Sequence, residues 1–229
     1  MAIAIPALYR STVGKKAVMA VTGAVLVLFL LAHMAGNLKI FLGDSDFDHY
    51  AGWLRTLGEP ALPHRWLLTG MEIVLTVSVI LHMWSAVSLA RTARRARPVR
   101  YAVKKKSHAQ GYAVHTMRYG GVIILLFLIW HLLDLTFGAV NPKGGNSSPH
   151  AKVVADFEPS RWYITLFYVV AVVLVGVHLR HGIRSAFQTL GLASSRSYAR
   201  YDLLAAAVSA LLVVGFLAVP IAVTFGWVK

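Results

Sequence analysis

The sequence predicts an all-α transmembrane bundle of five helices, with its N-terminus in the cytoplasm and its C-terminus outside. Three observations carry this reading. The 229 residues are 57% hydrophobic and only 14% charged, less charge than a soluble domain of this length carries. The apolar residues gather in five runs, each near the ~20 residues that cross a bilayer. Lysine and arginine collect in alternate connecting segments, the pattern that sets membrane topology.

Each span has its own justification. The first, residues 17–41, follows the basic pair Lys15 and Lys16. The second, 66–90, opens on Trp66 and runs into Arg91. The third, 119–140, follows Arg118. The fourth, 162–190, opens on Trp162 and turns polar after Leu179. The fifth, 203–227, contains Pro220, which is expected to kink it. Barrel strands would instead alternate polar and apolar residues in segments of about ten. The four connections, 43–65, 92–117, 141–161 and 191–200, read as loops, and NPKGGNSSPH as a turn-rich surface loop. Trp53, Trp66, Trp162, Tyr163 and Trp227 fall where interfacial aromatics belong. The whole chain, 1–229, reads as a single membrane domain, and residues 1–10 lack the order of a cleavable signal peptide.

The charges orient the bundle. Sixteen lysines and arginines lie in 1–16, 91–118 and 180–200, opposed there only by Asp202. The other side has seven basic residues and six acids, a balance of about +1 against +15. A basic run such as RTARRARPVR also suits nucleic acid, but between spanning helices it reads as a topology signal touching anionic lipid or a partner subunit. Cysteine is absent, which excludes disulfides, thiolate ligands and Cys-ligated iron–sulfur clusters from this chain.

Four histidines interrupt the apolar runs: His33 in FLLAHMAGN, His82 in VILHMWS, His131 in FLIWHLLD and His178 in VGVHLRHG. An ionisable side chain in hydrocarbon is costly and points to function. Depth follows from the ~1.5 Å helical rise per residue. His33 lies 17 residues from Lys16 and His131 lies 13 from Arg118, which puts both roughly 20–25 Å from the inner edge. His82 lies 9 residues from Arg91 and His178 lies 6 from Arg184, which puts both roughly 9–13 Å from it. Two tiers result, His33 with His131 and His82 with His178. Paired imidazoles at one depth suit the iron of a six-coordinate haem b. Zinc suits them less, because its sites want three or four ligands. His181, one turn from His178, competes with it as the ligand. Gly23, Gly36, Gly70, Gly120, Gly121, Gly176 and Gly182 either make room for a porphyrin or serve helix packing. His49, His64, His108, His115 and His150 read as solvated surface.

FLLAHMAGN, ILHMWS, MRYGGVIILLFLIWHLLD and HLRHGIRSAFQTLG together resemble the helix signatures, in order, of a known family. It is the membrane-anchor cytochrome b subunit of succinate:quinone and fumarate:quinone oxidoreductases, in its single-subunit, five-helix, two-haem class. The resemblance implies that His82 and His178 bind the haem nearer the catalytic subunits, and His33 and His131 the distal one. It implies a flavoprotein and an iron–sulfur subunit on the cytoplasmic face of a bacterial inner membrane. It also implies a quinone substrate, often menaquinone. Some members carry a glutamate relay in the fourth helix, whereas residues 162–179 here contain no carboxylate.

Two carboxylates within the spans, Asp134 and Glu72, are candidates for handling the protons of quinone reduction. Arg118, Arg184 and Lys16, at inner helix ends, are candidate partners for haem propionates. Two other functions fit parts of the pattern: a cytochrome b561-like subunit, and a haem-free proton-coupled transporter using the same histidines.

Overall fold

The computed structural model describes residues 11–96, 108–194 and 196–229, with the side chains of 108–116 outside that set. Among the described residues all regular structure is helical. The helices are α1 (Thr12–Asn37), α2 (Asp44–Thr56), α3 (Trp66–Arg95), α4 (His108–His131), α5 (Pro149–Asp156), α6 (Trp162–Thr189) and α7 (Tyr198–Thr224). Five of them, α1, α3, α4, α6 and α7, are long and apolar enough to cross a membrane. The chain is a multi-pass membrane protein.

Helix limits follow local chemistry. α1 starts at Thr12, five residues before the sequence reading, because Ser11 caps it by accepting the Gly14 N–H at 2.9 Å. The basic residues after it therefore lie inside its first turns. α3 continues past residue 90 to Arg95, carrying its charged end beyond the apolar run. α4 ends at His131 and passes into a π-helical turn, Leu132–Thr136, short of the expected residue 140. α7 starts at Tyr198 and runs through Pro220 to Thr224.

The largest correction concerns two connections read as loops. Each contains a helix, α2 in 43–65 and α5 in 141–161. Both are too short and polar to signal a span, yet each places apolar residues inward. Phe47 of α2 is buried with Ile40 and Val219, and Val153 of α5 packs on the same cluster. The His150 N–H donates to the Asp48 carboxylate at 2.9 Å, tying α5 to α2. Together the two helices cap one end of the bundle, the end at which α1 finishes. His150, read as solvated surface, is instead buried, with its ring edge-on to Phe47 at 6.4 Å. Asn141, from the turn-rich loop, is buried as well. His49 and His64 are exposed. The side chains of His108 and His115, and the basic residues Arg97, Arg100 and Lys104 to Lys106, lie outside the described set.

Packing between spans decides where the histidines meet. α1 packs on α3, α6 and α7, and α6 packs on α7 and α4. α3 and α6 do not pack closely on each other, and neither do α1 and α4. The glycines differ in what they face. Gly176 of α6 seats Val213 of α7, and Gly215 of α7 seats Met34 of α1, which are packing contacts. Gly36 gives Tyr50 its place. Gly23 and Gly121 instead face the rings of His82 and His178.

Gly176→Ala should therefore force α6 and α7 apart, an overpacking cost of about 1–3 kcal/mol. The thermal midpoint of the solubilised protein should fall in this variant. Gly70→Ala, where an added Cβ meets nothing within 4 Å, should not lower it, since alanine is the better helix former.

Candidate functional site

The structure brings together His33 with His131, and His82 with His178. The ring centres of the first pair lie 5.9 Å apart, near the capped end. Those of the second lie 6.3 Å apart, deeper in the bundle toward the opposite end. In each pair the rings meet although their helices do not pack closely, so each pair spans a gap between helices. The surroundings are aromatic at the capped-end pair. Phe29 stacks on His33 at 5.3 Å, Phe216 flanks it at 5.7 Å, and Phe127 and Tyr168 flank His131 at 5.8 and 6.1 Å.

The nitrogens are the telling atoms. The Nδ1 atoms of His131 and His178 are buried with no hydrogen-bond partner. His82 Nδ1 lies 3.3 Å from Thr22 Oγ1. An imidazole nitrogen sits about 2 Å from a first-row metal, and the ring centre roughly 1 Å beyond it, so two rings sharing one metal lie about 6 Å apart. Both pairs match that spacing. Ordinary aromatic contacts fall in the same range; what sets these two pairs apart is that each meets across a gap between helices that do not pack closely. Among the described residues no group of three or more His, Asp or Glu side chains converges as a metal site. The donor sets are pairs, which suits a metal whose remaining positions are filled by its own macrocycle.

Beside the capped-end pair is a buried polar cluster that the sequence reading found only in part. Asp134, in the π turn after His131, is 1% exposed. One carboxylate oxygen accepts from the Tyr168 hydroxyl at 2.9 Å and the other from the Asn141 side-chain amide at 3.2 Å. Asn141 also donates to the Lys152 carbonyl at 3.2 Å, so α5 holds the same network. Asp156, the last residue of α5, is fully buried beside Asp134, and neither of its carboxylate oxygens has a hydrogen-bond partner. Arg161 approaches Asp156 to 3.2 Å without hydrogen-bond alignment. Burial and the neighbouring Asp134 both disfavour the ionised form of Asp156. Tyr168, Asn141, Asp156 and Arg161 escaped the sequence reading because each lies in a different element, joined to Asp134 only by the fold.

The family model described as succinate dehydrogenase/fumarate reductase transmembrane subunit matches residues 90–218, more than half of the chain. The chain belongs to this family. The match includes His131 and His178, whereas His33 and His82 precede it. No curated protein and no solved structure matches significantly. As a transmembrane subunit of that complex, the chain serves as a membrane anchor for soluble subunits.

The remaining candidates in this transmembrane subunit stand apart from the imidazoles. Glu72 is exposed and paired with Arg65 at 3.3 Å, and none of its described contacts joins the Asp134 cluster. Arg184 lies 3.4 Å from Asp202 and over the Tyr198 ring, and Arg180 lies 3.3 Å from the same carboxylate. Arg118 is exposed. Lys16 lines a polar cleft with Met19, Ser185, Gln188 and Thr189. His181 has no ring partner of the kind His178 has in His82 among the described contacts.

Burial, and then contact with Asp134, pushes the Asp156 carboxyl up to about 8, against the pull of Arg161. A raised carboxyl pKa means that the folded chain holds this proton more tightly than the unfolded one. Its stabilisation is therefore full below the ordinary carboxylate range and is lost as pH rises through about 8. The thermal midpoint should fall as pH is raised through that window, and Asp156→Asn should flatten the fall. At neutral pH the infrared spectrum should show a protonated carboxyl band that Asp156→Asn removes.

Proposed function

We propose that this transmembrane subunit passes electrons from an iron–sulfur partner through two bis-histidine haem b groups to a membrane quinone. The complex would be a succinate:quinone oxidoreductase of a bacterial inner membrane. The supporting observation is the doubled geometry: two imidazole pairs at a metal-sharing distance, each across a gap between helices, in a chain of this family. His82 and His178 would hold one haem, and His33 and His131 the other. Haem iron supplies one-electron chemistry, which suits relay between a one-electron carrier and a two-electron quinone.

The chain's own residues do the rest. The apolar spans keep water from the imidazoles, so that their ring nitrogens would be available as ligands. Orientation follows the positive charge, so the His82–His178 tier faces the cytoplasm, where the iron–sulfur subunit and its flavoprotein partner would dock. Flavin and iron–sulfur ligation belong to those partners, since this chain has no cysteine. Lys16, exposed beside Ser185, Gln188 and Thr189, is a better placed propionate partner than Arg184, which Asp202 already engages. Quinone reduction consumes two protons for every two electrons. The buried Asp134, with Asp156 beside it, would supply one, next to the outer tier. This geometry supports Asp134 over Glu72 as the proton-handling residue. Menaquinone is the expected substrate class from the family resemblance.

A pyridine haemochrome assay of the purified complex should count two haems b per chain, and a count of zero would end this reading. His178→Ala should lose the inner haem and His131→Ala the outer one, each sparing at least part of the other. Asp134→Asn should slow quinone reduction by about 100-fold, the scale of a lost general acid, with both haems retained. Glu72→Gln should leave turnover within about 2-fold of wild type. Unchanged turnover in Asp134→Asn would reject its role.

A further inference from the structure

We infer that Thr22 is a positioning residue for the inner histidine pair: it accepts the Nδ1–H of His82 and so leaves Nε2 as the metal-binding atom. This rests on the haem reading above and adds a residue to it. Thr22 Oγ1 lies 2.7 Å from the Val18 carbonyl and 3.3 Å from that of Met19. Both are acceptors only, so the single hydroxyl proton is committed within α1. Toward His82 Nδ1, 3.3 Å away, the oxygen is left only to accept. A neutral imidazole carries one N–H, and placing it on Nδ1 exposes the lone pair of Nε2. Thr22 is 7% exposed, so water does not substitute for it.

The next residue makes the arrangement possible. A Cβ at Gly23 would stand 3.3 Å from His82 Cε1, tighter than ordinary contact. Thr22 therefore grips the ring while Gly23 leaves room for it, and together they orient it from one turn of α1. Across the gap, His178 Nδ1 has no such partner. The inner pair is thus chemically asymmetric, with the His82 side the stronger electron donor. An acceptor on Nδ1–H raises the basicity of the ligating nitrogen and favours the oxidised metal.

The test is a redox titration of the purified complex, with the inner haem identified as the one absent from His178→Ala. Thr22→Val removes the acceptor and keeps the shape. It should shift the inner midpoint potential upward, leave the outer one unmoved and alter the ligand-field spectrum of the inner haem alone. Thr22→Ser should restore the wild-type values. An inner potential unmoved in Thr22→Val would overturn the inference and give the role to the Met19 carbonyl, which also lies beside this ring. Loss of the inner haem in Thr22→Val supports it if Thr22→Ser keeps both haems at wild-type potentials, and overturns it if Thr22→Ser loses that haem too. Nitrogen-15 NMR of the His82 ring in the full chain gives a readout that needs no haem. It should report Nδ1-protonated imidazole in the wild type and a changed tautomer balance in Thr22→Val. A wild-type complex without haem would end the functional reading, while the NMR result would still judge Thr22.

Discussion

A ring nitrogen inside hydrocarbon must end on a partner, and most of this architecture answers that demand. Four imidazoles enter the apolar bundle from four different helices. Helix-to-helix packing brings them together edge-on in two pairs while keeping their own backbones apart. α1 and α6 supply the common framework, α1 holding α3 and α6 holding α4. The result is two imidazole joints set within the bundle, one toward each end.

The capped end solves a different problem. The chain emerges from α1 and α4 with apolar side chains and carboxylates that have no place in lipid. α2 and α5 fold over them, burying Phe47 and Ile40 with Val153 packed against them and enclosing Asp134 with Asp156 beside it. The π turn after His131 belongs to this solution. It adds a residue to the turn just where the helix passes from a histidine among aromatic rings to a carboxylate held by hydrogen bonds.

The spans and the grouping of histidines by depth were legible because hydropathy, positive charge and helical rise act locally along the chain. Pairing by ring contact then depended on packing, yet depth alone had limited the choices. The cap was not legible. α2 and α5 are short and polar, and their anchoring residues look like scattered loop hydrophobics until the far ends of α1 and α7 are placed beneath them. The partners of Asp134 were hidden for the same reason, since Tyr168 lies 34 positions away and Asp156 lies 22. Thr22 was hidden by familiarity, because a threonine bonded back to its own helix is unremarkable until a ring is found on its other side.

Thr22 and His33 stand 11 residues apart on α1, close to three full turns at 3.6 residues per turn. One stripe of this helix thus serves both tiers at once. Inserting or deleting a single residue between them would swing one tier's contact around the axis by about 100° and leave the other in place. Length between positions 22 and 33 is therefore a tighter constraint than side-chain identity there, and drift along this segment is confined to exchanges that keep its count.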